Sequence, residues 1–508
     1  MTKIHFNGRV LIIGFGGVAR CTLPLLLKHL DLPPERFKVM DFAEEAPSRL
    51  EPYTAQGVKF VRDRIAAEKY AEQLAAHVGP GDIIVDLAWN IDCGQILDWC
   101  RSNNVRYINT SVEVWDPYEN RESKSPPERT LYVRHMKLRE QIDRWGDNQG
   151  PTALLDHGAN PGLVSHFTKR GLLDIAHRLL ADRPDHPRRR RIEESTAAGR
   201  FNSLAHALDV KVIHVSERDT QVTRQVRRPD EFFNTWSVEG FYEEGIAPAE
   251  MGWGTHERTF PFDGWEHKVG PGNQICLSRF GIDTFVRTRV PSSDIVGMVI
   301  RHGEAFSLSE YLSVADGTQT VVYRPTVHYA YLPCPEAVQC LAEVRANDYK
   351  NHPSWRIMGD DITQGCDELG VLLMGHEYKS WWCGTILGID RARELIPHQN
   401  ATTLQVAASV MSGVIWMIRN PRMGVRVPDD LPHDAILEEA GPYLGRIVSI
   451  PLDWTPLGDK LGSHSGAHLD DSVWQFDQFA IKAGERAPDG TVIDGPRLLK
   501  EHRNPLKL

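Results

Sequence analysis

The sequence predicts an α/β chain of two domains: an N-terminal doubly wound parallel sheet, then an α+β domain whose sheet is largely antiparallel. Three observations predict this. Strand and helix patterns alternate through the first 155 residues, alternating β texture takes over from about residue 210, and 508 residues exceed what one core normally supports.

The first element is a buried apolar run, Val10 to Ile13, that enters a glycine turn and then a helix over Arg20 to Leu30. Gly14, Gly16 and Ala19 set a G-x-G-x-x-A spacing, and the next apolar run, Phe37 to Asp41, ends in an acid. Gly14 permits the tight turn, Gly16 lets backbone approach a pyrophosphate, and Ala19 lets helix and strand pack closely. The helix N-terminus offers free N–H groups to phosphates. Strand, turn, helix, strand and acid in this order form a dinucleotide fingerprint of Rossmann type. Asp41 would accept hydrogen bonds from ribose hydroxyls and repel a 2′-phosphate, so NAD is favoured over NADP.

The alternation continues with a strand at Val58 to Val61, a helix over Glu68 to His77 and an apolar strand Asp82 to Ala88. A helix over Cys93 to Ser102, a strand Tyr107 to Thr110 and a long helix Leu131 to Trp145 follow. The strand tips, where ligands bind in such sheets, read Trp89 to Asp92 and Ser111 to Trp115. Strand Thr152 to Asp156 then enters the turn His157 to Gly162, which opens the second domain. Arg188 to Arg191, set among acids and prolines, reads as a solvated loop.

Later strands are expected at Val210 to Ser216, Phe285 to Val290, Ile295 to Ile300 and Gln319 to Tyr323. Helical spacing returns at Asp390 to Leu395 and Asn400 to Trp416. The latter is apolar and rich in small residues, and by analogy with two-domain dehydrogenases it returns to the first domain. The dinucleotide-binding domain is thus expected to comprise residues 1–155 completed by about 388–430, and the second domain residues 156–387 with 431–508.

Composition narrows the function classes. A net charge of −10 and pI near 6.1 argue against a nucleic-acid partner. The sequence shows no h-region at its start and no apolar run near 18 residues, so neither export nor a membrane partner is expected. Eight cysteines form neither C-x-x-C pairs nor a zinc spacing, so no metal site is expected and reduced thiols in the cytoplasm are.

The second domain concentrates acids beside indoles: Phe232 to Glu244, with Trp236, Glu239 and Glu243, then Pro248 to Glu257, with Glu250, Trp253 and His256. An indole face beside carboxylates suits an organic ammonium, so this stretch is expected to line a cation pocket. His302, after an apolar strand, is expected to shuttle protons near neutrality.

The fingerprint, the turn His157 to Gly162, and the runs His214 to Gln221, Asn234 to Gly240, Tyr323 to Tyr331 and Asp367 to Leu373 together resemble bacterial homospermidine synthases. These belong to the saccharopine dehydrogenase-like group, and the resemblance extends to Asp453–Leu457. It implies an NAD-dependent enzyme that converts two putrescines, or spermidine plus putrescine, to homospermidine, by oxidation to an imine, transimination and re-reduction. It further implies a homodimer.

Carried over by motif, the resemblance makes Glu217 and Glu244 ammonium-binding acids, with Asp367 completing an acidic wall. Trp236 would face a cationic intermediate, and Asn160 and His302 would serve the chemistry. Glu113 at one strand tip, with Asn90 or Asp92 at another, would meet substrate. NAD would lie against Gly14, Gly16, Gly17, Val18, Asp41, Ala88, Thr110 and the turn Gly158, Ala159, Asn160 and Pro161. A saccharopine or carboxynorspermidine type of imine reductase remains an alternative, although it would need arginines for substrate carboxylates. A non-catalytic NAD-binding or polyamine-binding protein would explain only half of these features.

Overall fold

A computed structural model describes residues 3–120, 123–458 and 471–493. The expected second-domain segment at the C-terminus therefore lies outside the described residues at 459–470 and 494–508.

Seven parallel strands make the first sheet, in the spatial order Val425–Arg426, Ala153–Leu154, Arg106–Asn109, Ile83–Asp86, Val10–Ile13, Phe37–Asp41 and Lys59–Arg62. Val10–Ile13, Ile83–Asp86 and Arg106–Asn109 are buried at every position, because helices cover both faces. The order reverses at Val10–Ile13, whose successor in sequence lies on one side and Ile83–Asp86 on the other. A crevice opens outside the strand ends at such a switch point.

Helix Ala401–Arg419 packs against helix Gly17–His29 and lies over the first sheet. Its small residues permit close approach: a Cβ on Gly413 would stand 2.7 Å from Ile108 and 3.2 Å from Leu154. Asn400 caps it by accepting the Thr403 N–H at 2.8 Å. This corrects the expectation that no apolar run of membrane-spanning length exists. By length and mean hydropathy, 1.5, the helix would qualify, but 89% of it is buried inside the protein.

The second sheet has ten strands and is antiparallel except where Thr326–Leu332 runs beside Val212–Asp219. Cys366–Met374, Ser380–Gly388 and Arg446–Leu452 extend it one way, and Pro248–Gly252, Gln274–Phe280 and Gly264–Glu266 the other. Helix Leu163–Asp182 covers one face. On the other, Trp382 packs with Trp454, Trp474, Phe476 and Phe479. All eight cysteines are unpaired.

The arginine run is not a loop. It opens helix Arg189–Ala197, where Arg189 pairs with Glu193 and Arg190 with Glu194 one turn on.

Candidate active site

Gly14 adopts φ +83°, and a Cβ there would stand 3.0 Å from the Leu87 carbonyl oxygen, so only glycine makes this turn without strain. Gly16 caps helix Gly17–His29 with open space where a side chain would be, and the first turn holds no acid. Its orphan N–H groups are free for a phosphate. The turn borders a cavity of about 430 Å³, lined also by Gly17, Val18, Asp41, Ala88, Asn90 and Trp236. Asp41 closes one end, its carboxylate accepting the Phe15 N–H at 2.5 Å and the Ala43 N–H at 2.7 Å.

The remaining residues expected at the dinucleotide do not line this cavity. Thr110 lies against Gly158, 3.4 Å from where its Cβ would be, and Ala159 belongs to the core. After Pro161 the chain enters helix Leu163–Asp182, while Asn160 reaches toward the second sheet.

That sheet carries the acids on one face. Residues two apart in a strand share a face, so Glu217 and Asp219 stand together. Tyr331 is the register partner of Glu217, and Asp367 that of Asp219, which brings all four to the same side. Tyr329 donates to Glu217 Oε2 at 2.6 Å and accepts an Asn160 N–H at 2.7 Å, while Asn160 also donates to Glu217. Thr235 donates to Asp219 at 2.6 Å, and Thr402 to Asp367 at 2.7 Å.

These acids are nearly inaccessible and repel one another. Burial first, and then the charge of Asp219, push Glu217 up to about 8. Burial lifts Asp219 to about 6. Asp367 is raised well above its ordinary range by burial and by Glu217 and Asp219. Half-buried Glu244 is raised likewise by burial and by the charges of Glu113, Asp156 and Glu217. A region short of positive charge is one that an organic cation would complete.

Trp236 joins cavity and acid face. It lines the cavity, packs on Phe241 at 5.2 Å, and donates its indole N–H to the Tyr331 hydroxyl at 3.0 Å. A smaller cavity of about 180 Å³ adjoins, lined by Asn90, Glu113, Glu239, Trp89 and Trp355. Glu239 lies at the junction of the two, with burial raising it to about 7. Asn90 and Asp92 part company here: Asn90 lines both cavities, whereas Asp92 caps helix Cys93–Ser102 by accepting the Gln95 N–H at 2.9 Å.

Two expectations are corrected. The stretch from Glu250 to Glu257 belongs to the scaffold: Glu250 accepts the Leu131 and Tyr132 N–H groups, Glu257 accepts from Thr326 and Phe476, and Trp253 packs on Phe260 and Phe476. Glu243 likewise pairs with Arg134 and Arg301. His302 is not poised near neutrality, because burial lowers it to about 3 and keeps it uncharged. It donates from Nε2 to Asn160 Oδ1 at 3.0 Å. Asp219, Tyr329 and Tyr331 are site residues to which sequence reading assigned no role, whereas Glu239 belongs to the stretch expected to line a cation pocket. The i, i+2 spacing of Glu217 with Asp219, and of Tyr329 with Tyr331, was the available signal.

The fold and this site define a two-domain dinucleotide-dependent enzyme built on the saccharopine dehydrogenase plan. Residues 10–154 match the family described as saccharopine dehydrogenase NADP binding domain, and residues 158–450 that described as saccharopine dehydrogenase C-terminal domain. The homospermidine synthase of Blastochloris viridis is 38% identical over 94% of this chain and 98% of its own. That of Mesorhizobium japonicum is 34% identical over 94% and 97%. A crystal structure of the Legionella pneumophila homospermidine synthase in complex with NAD superposes with a TM-score of 0.81, at 36% identity, covering 94% of this chain and 99% of that one. The chain belongs to the homospermidine synthase family.

Proposed function

We propose that this chain is an NAD-dependent homospermidine synthase that joins two putrescines, or spermidine and putrescine, into homospermidine with release of ammonia or diaminopropane. The observation that carries this reading is the face of mutually repelling acids, Glu217, Asp219 and Asp367, linked through Trp236 to an open glycine cradle. NAD, when bound against Gly14, Gly16 and Asp41, supplies the hydride acceptor for the amine-bearing carbon and the hydride donor for the linked imine.

The chain's own residues provide the rest. Tyr329 and Asn160 hold Glu217 through Oε2, which leaves Oε1 for a substrate nitrogen. An amine must lose a proton before hydride can leave its carbon, and a carboxyl near 8 suits that exchange at neutral pH. Asp219 and Asp367 become charged when a distal ammonium compensates them. The Trp236 ring offers a face to the cationic imine. Glu113, Glu239 and Glu244 attract the incoming diamine.

Incubating the purified protein with NAD and putrescine tests the reading. Homospermidine and ammonia should accumulate with no net reduction of NAD. Stoichiometric NADH, or no homospermidine, would refute it. We further propose a cytoplasmic homodimer: free thiols support the compartment, family resemblance supports the dimer, and sedimentation tests it.

A further inference from the structure

Glu304 opens helix Glu304–Tyr311 beneath the acid face and is buried to 1% exposure, yet the reaction outlined above assigns it no part. Its Oε1 accepts the Gly162 N–H at 2.5 Å and the Ser165 hydroxyl at 3.3 Å. Its Oε2 lies 3.2 Å from His302 Nδ1, and neither of these two buried atoms has a hydrogen-bond partner among the described residues.

Hydrogen-bond directions decide where the protons are. Tyr329 gives its hydroxyl proton to Glu217 and so receives an N–H from Asn160, which gives another to Glu217 itself. The Asn160 nitrogen must therefore face Glu217, and its oxygen must face His302. His302 Nε2 consequently carries a proton to satisfy that oxygen. In the neutral ring Nδ1 is then a bare lone pair, facing a carboxyl oxygen. Two acceptors do not meet at this distance without a proton between them.

We infer that Glu304 works as a protonated acid whose O–H faces His302 Nδ1, fixing the ring tautomer and, through it, the orientation of the Asn160 amide that holds Glu217. Glu304 is thus a positioning residue, separated from the reacting acid Glu217 by two intervening residues, His302 and Asn160. Its surroundings keep the proton in place. Besides His302, the groups that face it are the carboxyls of Asp156 and Asp429, which raise it together with burial. Neighbouring basic side chains point elsewhere: His135 Nε2 lies 2.8 Å from Asp156, and the Lys169 ammonium donates to the Asp429 and Leu431 carbonyls.

The inference rests on the proposed synthase activity, so wild-type homospermidine formation is measured first; its absence refutes that reading and not this one. E304Q keeps a donor toward Nδ1 and an acceptor toward Gly162. It should melt with the wild type and retain kcat and its pH profile within about twofold. E304M keeps the length without the donor. It should lower kcat about a hundredfold, in the range a positioned acid or base contributes, while the putrescine KM and NAD binding change little. If E304M does not fold, E304A takes its place. Loss of activity or folding in E304Q would show that the carboxylate anion is what matters, and would overturn the inference. Wild-type kcat in E304M or E304A would overturn it equally.

Discussion

Asp219 and Asp367 are direct partners across an antiparallel pair of strands, and the Thr402 hydroxyl lies within hydrogen-bond distance of both, at 3.3 and 2.7 Å. Two carboxyls set this close out of water resist being charged together. The site therefore holds protons until a cation arrives.

Stability should fall as pH rises. Glu217 titrates near 8 in the fold against about 4.3 in an unfolded chain, so between those values the folded state binds the extra proton and loses stability with rising pH. Asp219 adds to the slope up to about 6. Melting temperature without diamine should drop from pH 5 to pH 8, and added putrescine should stabilise more at pH 8 than at pH 6. Glu217→Gln should flatten the slope and sharply impair putrescine use while sparing NAD affinity. An unchanged slope in that variant would place the titration elsewhere.

Asp41 should set the choice of dinucleotide. Asp41→Asn removes the charge while keeping one acceptor for the Phe15 and Ala43 N–H groups. NAD should weaken about tenfold or more, the worth of a hydrogen bond to a charged group, and NADP should gain relative to it. Fluorescence titration with both reduced cofactors checks this; equal wild-type affinities would defeat it.

Trp236→Phe separates site from core. The indole N–H to Tyr331 is lost, but the packing on Phe241 is largely refilled. Melting should shift by a few degrees. Turnover should fall about tenfold, ~1.4 kcal/mol, because benzene attracts a cation less than indole does. A lowered melting point with wild-type turnover would leave cation recognition to the carboxylates.

Asn90 and Asp92 should behave oppositely. Asp92→Ala removes a helix cap and should cost about 1 kcal/mol of stability without changing kcat or KM. Asn90→Gly keeps the left-handed backbone at φ 58° and should leave melting within a degree or two of wild type while altering the putrescine KM, since Asn90 lines both cavities.

What could be read from sequence follows the range of the interactions. The cradle at Gly14, Gly16 and Asp41 is built within one strand–helix–strand unit, so local spacing revealed it. The acid face was half legible: Glu217 and Asp367 came through motif resemblance, but the pairing of Asp219 with Asp367 depends on strand register, which sequence does not state. Glu250 and Glu257 show the converse. A carboxylate that accepts distant backbone N–H groups has the same one-letter neighbourhood as one that waits for a ligand. His302 misled for a related reason, since burial and not residue type decides its charge.

The closing of the first sheet by Val425–Arg426, with helix Ala401–Arg419 laid over Ile108 and Leu154, bears on how the chain is made. A ribosome delivers six strands of that sheet early and its last strand only after the whole second sheet except Arg446–Leu452 has been synthesised. Until then the apolar surface that awaits the helix stays uncovered, a hazard for aggregation during synthesis. A chain cut at residue 155 would keep that surface for good. Thr403 of helix Ala401–Arg419 lines the same cavity as Gly14 and Gly16, so the cofactor cradle is completed only after the strands through Ser380–Gly388 have been made.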